Sequence, residues 1–322
     1  MRALVQTEYG EPEAVLSVRE VARPSGSDDD VLVRVRAISV NIGESHLSRG
    51  VPKAMRPIFG LRRPRAAIPG EDIAGVVESV GASVTGLRPG DEVFGSCRAA
   101  CAEYAVAAAD KLAPKPDGLD FAGAAALGVS AQTALQALRD HLRVEPGHTV
   151  LVVGASGGVG SFAVQIAKAM GAEVTGVCST RNVDMVRSLG ADHVIDYRTQ
   201  DYITAGARYD RILDNVAAHP MAQVRRLLTA DGRLLSNGAP VSGWFGGLGN
   251  VAKALAASTV NKQQARPFVS ITTGADSRAL GEMVEAGTLR PVIDRTFTLE
   301  QGPQAFAHVA AGHAQGKTII AI

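Results

Sequence analysis

The stretch Val150–Gly160, VLVVGASGGVG, narrows the choice of fold more than any other part of the chain. An unbroken apolar run from Val150 to Val153 enters a glycine-rich turn, as a parallel strand covered on both faces would. The turn continues into SFAVQIAKAMGA, whose apolar residues recur at helical spacing. Gly154, Gly157 and Gly160 keep side chains away from a tight strand-to-helix crossing. Their spacing is G-x-x-G-x-x-G, so the strict G-x-G-x-x-G dinucleotide fingerprint is absent. The physical result is similar, because the N–H groups around Ala155, Ser156, Gly158 and Val159 and the start of a helix face outward, which suits a pyrophosphate. A glycine pattern alone is weak in a chain with 35 glycines among 322 residues. Here strand, turn and helix coincide, so the reading is a dinucleotide-binding turn rather than a plain structural one.

Further units of the same kind follow. EVTGVCS reads as a second strand with NVDMVRSLG as its helix, and HVIDY, YDRILDNV and GRLLSNG read as the third, fourth and fifth strands. PFVSI reads as a sixth, edge strand. This βαβα order predicts a doubly wound parallel sheet with right-handed crossovers. Before it, FAGAAALGVSAQTALQALRDH is a small-residue helical run broken near Gly128. Earlier still, RALVQTEYG, LSVREVARP, VLVRVRAISVN, GEDIAGVVESVG and GDEVFGS alternate or are β-branched, with Gly, Pro and Asp between them, a β-barrel-like composition. After the sheet come the helix SRALGEMVEAG, the strand-like RPVIDRTFTL, the helix GPQAFAHVAAGHA and the closing strand GKTIIAI, which rejoins the first β domain. The expected α/β organisation is therefore a discontinuous catalytic domain, residues 1–120 and 268–322, with a nucleotide-binding domain, residues 121–267, inserted in it. Two domains suit this length at roughly 100–200 residues each.

Composition removes other classes. A hydrophobic fraction of 46% and a charged fraction of 20% fit a soluble globular chain. The net charge of +1 gives no electrostatic reason to expect a nucleic-acid or membrane partner, leaving a small-molecule substrate. No apolar run reaches the roughly 18 residues of a membrane span. MRALVQTEYGEPE lacks the apolar core of a signal peptide, so a cytoplasmic protein is expected. Cys97, Cys101 and Cys178 are too few and scattered for a disulfide framework. Cys97 and Cys101 alone do not close a tetrahedral metal site. The basic, proline-rich VPKAMRPIFGLRRPRAAIPG either borders a ligand entrance that attracts phosphate or carboxylate, or is simply a solvated loop, which is the blander reading.

Several segments together carry a family resemblance. They are VNIGESHLSRG (Val40–Gly50), PGEDIAGVVESVG (Pro69–Gly81), GLRPGDEVFG (Gly86–Gly95), AEY (Ala102–Tyr104), VSAQTALQAL (Val129–Leu138), VLVVGASGGVG, GADHVIDY (Gly190–Tyr197) and GKTIIAI (Gly316–Ile322). In this order the chain resembles the medium-chain dehydrogenase/reductase superfamily, in the zinc-independent quinone oxidoreductase-like (NADPH:quinone reductase) branch. The resemblance implies a GroES-like β-barrel catalytic domain and a Rossmann domain. In the zinc alcohol dehydrogenases the first metal ligand is a cysteine where this chain has Asn41. The histidine of a G-H-E segment falls where it has Gly70-Glu71-Asp72. The four-cysteine structural lobe is missing and the histidines lack ligand spacing, so no metal is expected. Asp72 is then a turn or interdomain hydrogen-bonding group. Without a Lewis acid, direct carbonyl or alcohol chemistry loses its main electrophilic support. A conjugated carbonyl needs less, since hydride at its β-carbon leaves a delocalised enolate. Quinones and α,β-unsaturated ketones, aldehydes or enoyl thioesters are the expected substrates, with hydride from the cofactor.

The resemblance also implies residue roles. Thr133 matches a threonine near the nicotinamide amide, and Asn41 an asparagine on the nicotinamide side of the cleft. Glu44 stands where relatives often have aspartate, and His46 where some have tyrosine. His46 could donate a proton to the developing enolate, since a histidine titrates near working pH, or it could be a turn histidine. Trp244 and Phe245 either line an apolar substrate pocket or pack an interface. NAD-preferring sheets carry an acid at the end of the second strand, about 20 residues past the glycine turn. Here that position falls on Ser179, Thr180 and Arg181, and two hydroxyls beside a guanidinium suit the 2′-phosphate of NADPH. Tyr197 matches a tyrosine near the same end of the cofactor, and Gly238, closing GRLLSNG, completes the expected contacts. The exposed edge of PFVSI leads to the expectation of a homodimer. The reading is an NADPH (NADP)-dependent reductase, with a dinucleotide-binding redox-sensing or interaction module without turnover as the alternative.

Overall fold

The computed structural model describes residues 1–238, 265–268 and 270–322; for 265–267 the backbone alone is described. Trp244 and Phe245 lie outside the described residues. The chain divides into two compact units, Met1–Gln132 with Ile271–Ile322, and Thr133–Ser270. The first unit starts with β1 (Arg2–Gln6) and β2 (Leu16–Glu20), an antiparallel pair standing apart from the main sheet. The frame of that sheet is β3 (Asp30–Val40), where buried Val31, Val33 and Val35 alternate with exposed Arg34 and Arg36. Side chains on a strand point to opposite faces at every step, so one face meets the core and the other meets water. Beyond Arg36 both faces are covered, and Ala37, Ile38, Ser39 and Val40 are all buried. β4 (Asp72–Val80), β5 (Glu92–Ser96), β6 (Tyr104–Ala108) and β7 (Leu112–Pro114) complete the first passage.

The second unit holds β8 (Thr149–Val153), β9 (Glu173–Cys178), β10 (His193–Asp196), β11 (Tyr209–Asp214), β12 (Leu228–Ser236) and β13 (Ala265–Pro267). Among the described residues they form a six-stranded parallel sheet in the order β10-β9-β8-β11-β12-β13. This is the expected doubly wound order, reversing direction between β8 and β11. The helix after β8, Gly158–Ala169, buries Phe162, Val164, Ile166 and Ala167. The sixth strand is an edge strand as expected, but it lies two residues before PFVSI and ends on Pro267 rather than starting there. Proline has no N–H to give a ladder, which suits a strand terminus at a sheet edge.

The chain then returns to the first unit as β14 (Ile293–Thr298) and β15 (Lys317–Ala321). β15 pairs with Ala37–Val40 of β3, giving the order β14-β15-β3-β4-β5-β7 with β6 on β3. Helix Phe121–Ala126, read from composition as the opening of the nucleotide domain, packs on β3, β4 and β15 through buried Ala124, Ala125 and Ala126. Gly128 separates it from helix Val129–Gln136, as expected, and the next stretch Ala137–Leu142 is a π-helix. No helix among the described residues is long and apolar enough to cross a membrane.

The first unit's core gathers Leu4, Val33, Ile38, Ile73, Phe306 and Ile320. Phe306, on helix Gly302–Ala310, has no solvent exposure. Phe306→Ala is expected to lower the unfolding free energy of this unit by about 3–5 kcal/mol, because the surrounding side chains cannot fully close the cavity. Urea titration checks this as a fall in midpoint at unchanged slope.

Candidate active site

In the second unit the residues expected to hold a dinucleotide gather at the carboxyl ends of the parallel strands. Gly154 leaves β8 with φ of 77°, a left-handed conformation that glycine adopts without a Cβ clash. The N–H groups of Gly154 and Ala155 both donate to the carbonyl of Val177, at 3.1 and 2.9 Å, which ties the turn to β9. Ala155 therefore contributes shape, and its amide is not among the outward-facing ones. Gly157 donates to the Gly154 carbonyl at 3.1 Å, and a Cβ on Gly160 would run into that same carbonyl. Gly157 is also the N-cap of helix Gly158–Ala169 and has no side chain to cap it. The first-turn amides, from Gly158 through Val159 to Gly160, thus start a helix without an intrahelical acceptor, at the positive end of its dipole.

Asn182 supports this turn from below. It is 4% exposed, its Nδ2 donates to Ser156 Oγ at 2.8 Å, and its Oδ1 has no partner. A buried acceptor without a donor is costly and fits a site completed by a bound group with hydroxyls. Sequence reasoning missed Asn182, since nothing in one chain separates a buried asparagine from a solvated one. Across the switch point, Asp214 Oδ1 accepts from the amides of Val216 and Ala217 at 3.0 and 2.9 Å. Asn215 Nδ2 donates to the Val153 carbonyl at 3.1 Å. Gly238 donates its N–H to the Asp214 carbonyl at 3.1 Å and lies so close to Val216 that a Cβ would strike its backbone.

At the second strand end, Ser179 caps the short turn Thr180–Asn182, its carbonyl accepting from Asn182 N–H at 2.8 Å. Tyr197 donates its N–H to the Cys178 carbonyl at 3.0 Å, bringing the ends of β9 and β10 side by side. Thr180 has a partner on the neighbouring strand. Its hydroxyl bonds to Asp196, whose carboxyl is held below the usual range by that bond and by the amide of Arg198. Counting along β9 could not reveal Asp196, which arrives from the neighbouring strand. Arg181 is exposed, as is Tyr197, with the Arg198 guanidinium 5.5 Å from the Tyr197 ring centre. Arg198 is thus a second cation on this shelf that the sequence reading did not single out. Thr133 is 5% exposed and its Oγ1 lies 2.7 Å from Ser270 Oγ.

In the first unit, Asn41 stands at the centre of a buried polar cluster. Its Nδ2 donates to Asp72 Oδ2 at 2.9 Å and, more weakly, towards Glu44 Oε1 at 3.4 Å. Its Oδ1 accepts from Lys317 Nζ at 2.6 Å and from Ser130 Oγ at 3.1 Å. Every hydrogen-bonding position of the amide is thereby used. Lys317 Nζ also donates to Ser130 Oγ at 2.8 Å and stands 3.8 Å from Asp72 Oδ2. Asp72 Oδ1 accepts the Val129 N–H at 2.8 Å; Gly128 makes this possible, because a Cβ there would collide with the carboxylate. Lys317 is 2% and Asp72 0% exposed. Burial pushes the lysine amine down and the aspartate carboxyl up, and each is held against that push by the other. Asn41 therefore organises this cluster and has no donor or acceptor left for a ligand. His46 also departs from the reading as a proton donor. Burial, and then Arg49, lower its pKa below the ordinary value, which disfavours the protonated ring that a proton donor would need.

The donors are also wrong for a zinc ion. A zinc site takes thiolate, imidazole or carboxylate ligands. Here a neutral amide and an ammonium-paired carboxylate stand at the corresponding positions, with the ammonium itself among them. Cys97 and Cys101 are buried free thiols whose pKa burial raises, away from the thiolate form that binds metal.

These features define an α/β protein with a GroES-like unit and a Rossmann unit that presents a glycine turn at its switch point. Residues 27–142 match the family model described as alcohol dehydrogenase GroES-like domain, and residues 189–320 the one described as zinc-binding dehydrogenase. The chain is 32% identical to the quinone-oxidoreductase QR1, chloroplastic, of Triphysaria versicolor, over 99% of this chain and 98% of that protein. It is 30% identical to the 2-methylene-furan-3-one reductase of Solanum lycopersicum, over 99% of this chain and 79% of that protein. The structure of the quinone oxidoreductase from Coxiella burnetii superposes with a TM-score of 0.88 at 27% identity, covering 100% of this chain and 99% of that one. The chain belongs to the medium-chain dehydrogenase/reductase superfamily, in its quinone oxidoreductase-like branch. It is an oxidoreductase of that type, and the family points to a nicotinamide dinucleotide as its cofactor.

Glu44 contributes to the pH response of the first unit, together with Glu71, whose pKa is pushed up to about 7 by burial and then by Asp72. The Glu44 carboxylate accepts the main-chain N–H of Asn41 at 3.0 Å, turned inward beside Asp72. Burial, and then the charge of Asp72, push its pKa up to about 8. An acid whose pKa is higher folded than unfolded binds more protons in the folded state between the two values, so stability falls as pH rises through that window. The unfolding free energy is expected to decline from about pH 5 to about pH 8 and then level off as far as Glu44 is concerned. Glu44→Gln should make that decline shallower and leave the part due to Glu71, which denaturant titrations across the pH range would read; an unchanged slope in the variant would remove Glu44 as a source.

Proposed function

We propose that the chain is a zinc-independent, NADPH-dependent oxidoreductase that passes hydride to a conjugated carbonyl, a quinone or an α,β-unsaturated ketone, aldehyde or enoyl thioester. The observation that carries this reading is the Lys317 ammonium, 2.6 Å from Asn41 Oδ1 and 3.8 Å from Asp72 Oδ2. A fixed internal cation repels a metal ion from the same donors. A substrate that must be activated by a Lewis acid is then poorly served, whereas one that delocalises the incoming charge over its own conjugated system is not. Two relatives, a quinone oxidoreductase and a 2-methylene-furan-3-one reductase, support that substrate class.

The residues present fit a dinucleotide. The Gly158, Val159 and Gly160 amides and the helix dipole would hold the pyrophosphate, and the unpartnered Asn182 Oδ1 offers a buried acceptor beside the turn. Ser179, Arg181 and Arg198 would receive a 2′-phosphate at the ends of β9 and β10. When bound, NADPH supplies the hydride. The protein's part is to fix the two ends of the cofactor and to keep the acceptor's environment dry.

Steady oxidation of NADPH with simple quinones or enones is expected, at a rate unchanged by prolonged chelator treatment. Loss of turnover with loss of a stoichiometric zinc would overturn the metal-independent reading. Arg181→Ala is expected to raise the Michaelis constant for NADPH by about 10–150-fold, the equivalent of roughly 1.5–3 kcal/mol, and to leave NADH kinetics nearly unchanged. Equal effects on both cofactors would withdraw the phosphate role from Arg181.

A further inference from the structure

The stretch from Val51 to Ala67 forms a hook on the first unit whose chemistry the reaction does not use. No acidic residue lies between Glu44 and Glu71, while Lys53, Arg56, Arg62, Arg63 and Arg65 do. The hook is fixed at its base. Tyr9 donates its hydroxyl to the Gly60 carbonyl at 2.6 Å, and Arg56 Nε donates to the Gly50 carbonyl at 3.0 Å with its guanidinium 4.6 Å over the Tyr9 ring. Arg65 N–H closes the hook on the Phe59 carbonyl at 2.8 Å. At the tip, Ile58 is 58%, Phe59 39% and Leu61 69% exposed, and Arg62 and Arg63 stand exposed immediately behind them. Contiguous large apolar side chains held in water mark an interaction site.

We propose that this hook docks the protein on a bilayer surface carrying anionic lipids, with Ile58, Phe59 and Leu61 entering the headgroup region and Arg62 and Arg63 at the phosphates. The patch is small and pointed. An interface between water and lipid accepts a few apolar side chains to a depth of about 5–10 Å, which three exposed tip residues can supply. Charge complementarity selects the anionic bilayer. The whole chain carries only +1, so the attraction belongs to the hook and not to the molecule. The inference goes beyond the proposed reaction, and its test does not require turnover.

The test is co-sedimentation of the full chain with vesicles of phosphatidylcholine alone, or with about one-third phosphatidylglycerol, at low salt. Binding is expected with the anionic vesicles and not with the neutral ones. Arg62→Ala with Arg63→Ala should weaken it about 30-fold, at about fivefold per arginine. Ile58→Ser with Leu61→Ser should weaken it while leaving its salt dependence in place. Leu61→Trp, with the single native tryptophan replaced by phenylalanine, should shift its emission to the blue on anionic vesicles. Equal partition into both vesicles, or binding indifferent to the arginine pair, would overturn the proposal. So would capture of the chain by an acidic protein through these same residues without any vesicle binding.

Discussion

Lys317 brings a charge into the interior of the first unit, where other side chains must do the work of water. Asn41 and Ser130 accept its hydrogen bonds at 2.6 and 2.8 Å, and Asp72 supplies the opposing charge. These four residues come from the end of β3, the start of β4, the start of helix Val129–Gln136 and the start of β15. Taking away one member of such a set leaves its partner charged and unsolvated, which costs about 3–5 kcal/mol, although the intact pair adds little net stability. What the cluster provides is registration. β3, β4 and β15 can meet in only one alignment if the amide, the carboxylate and the ammonium are all to be satisfied.

The second unit uses backbone where the first uses side chains. Its functional surface is made by the ends of parallel strands, where Gly154, Gly160 and Gly238 each sit against a neighbour too closely for a Cβ. For Gly154 the neighbour is the Val216 side chain, and for Gly160 and Gly238 it is main chain. Around these turns a few buried polar groups set the angles. Asn182 holds Ser156, Asp214 holds Val216 and Ala217, and Asn215 holds Val153. The two units thus reach rigidity by different means, one through a desolvated charge pair and the other through close packing of peptide groups.

Local chemistry was legible in the sequence and distant pairing was not. The strand, turn and helix at Val150–Ala169 could be read because each signal lies beside the next. Asn41 and Asp72 were readable as absent metal ligands. Lys317, which stands among them, could not be read, because it lies 276 residues from Asn41 along the chain. The bond from Thr180 to Asp196 could not be read, because Asp196 belongs to another strand. His46 looked like an acid because its ordinary pKa suits the task, and burial beside Arg49 lowers it. The segment around Leu61 reads, from its basic and proline-rich composition, as a ligand entrance or a solvated loop. Exposure of Ile58 and Leu61 is a property of the fold, and no periodicity announces it.

β15 is made long after β3, the strand it pairs with. On a ribosome, the second unit is an uninterrupted segment, Thr133–Ser270, and emerges whole before residue 317 is added. Until then β3 has an open edge at Ala37–Val40, and Asp72 has no cation. The first unit therefore waits, with its polar cluster unfinished, for Lys317 and the strand it opens. Translation that stops short of Lys317 leaves a complete nucleotide-type unit attached to a half-built partner with an exposed sheet edge, the kind of surface on which chains pair wrongly.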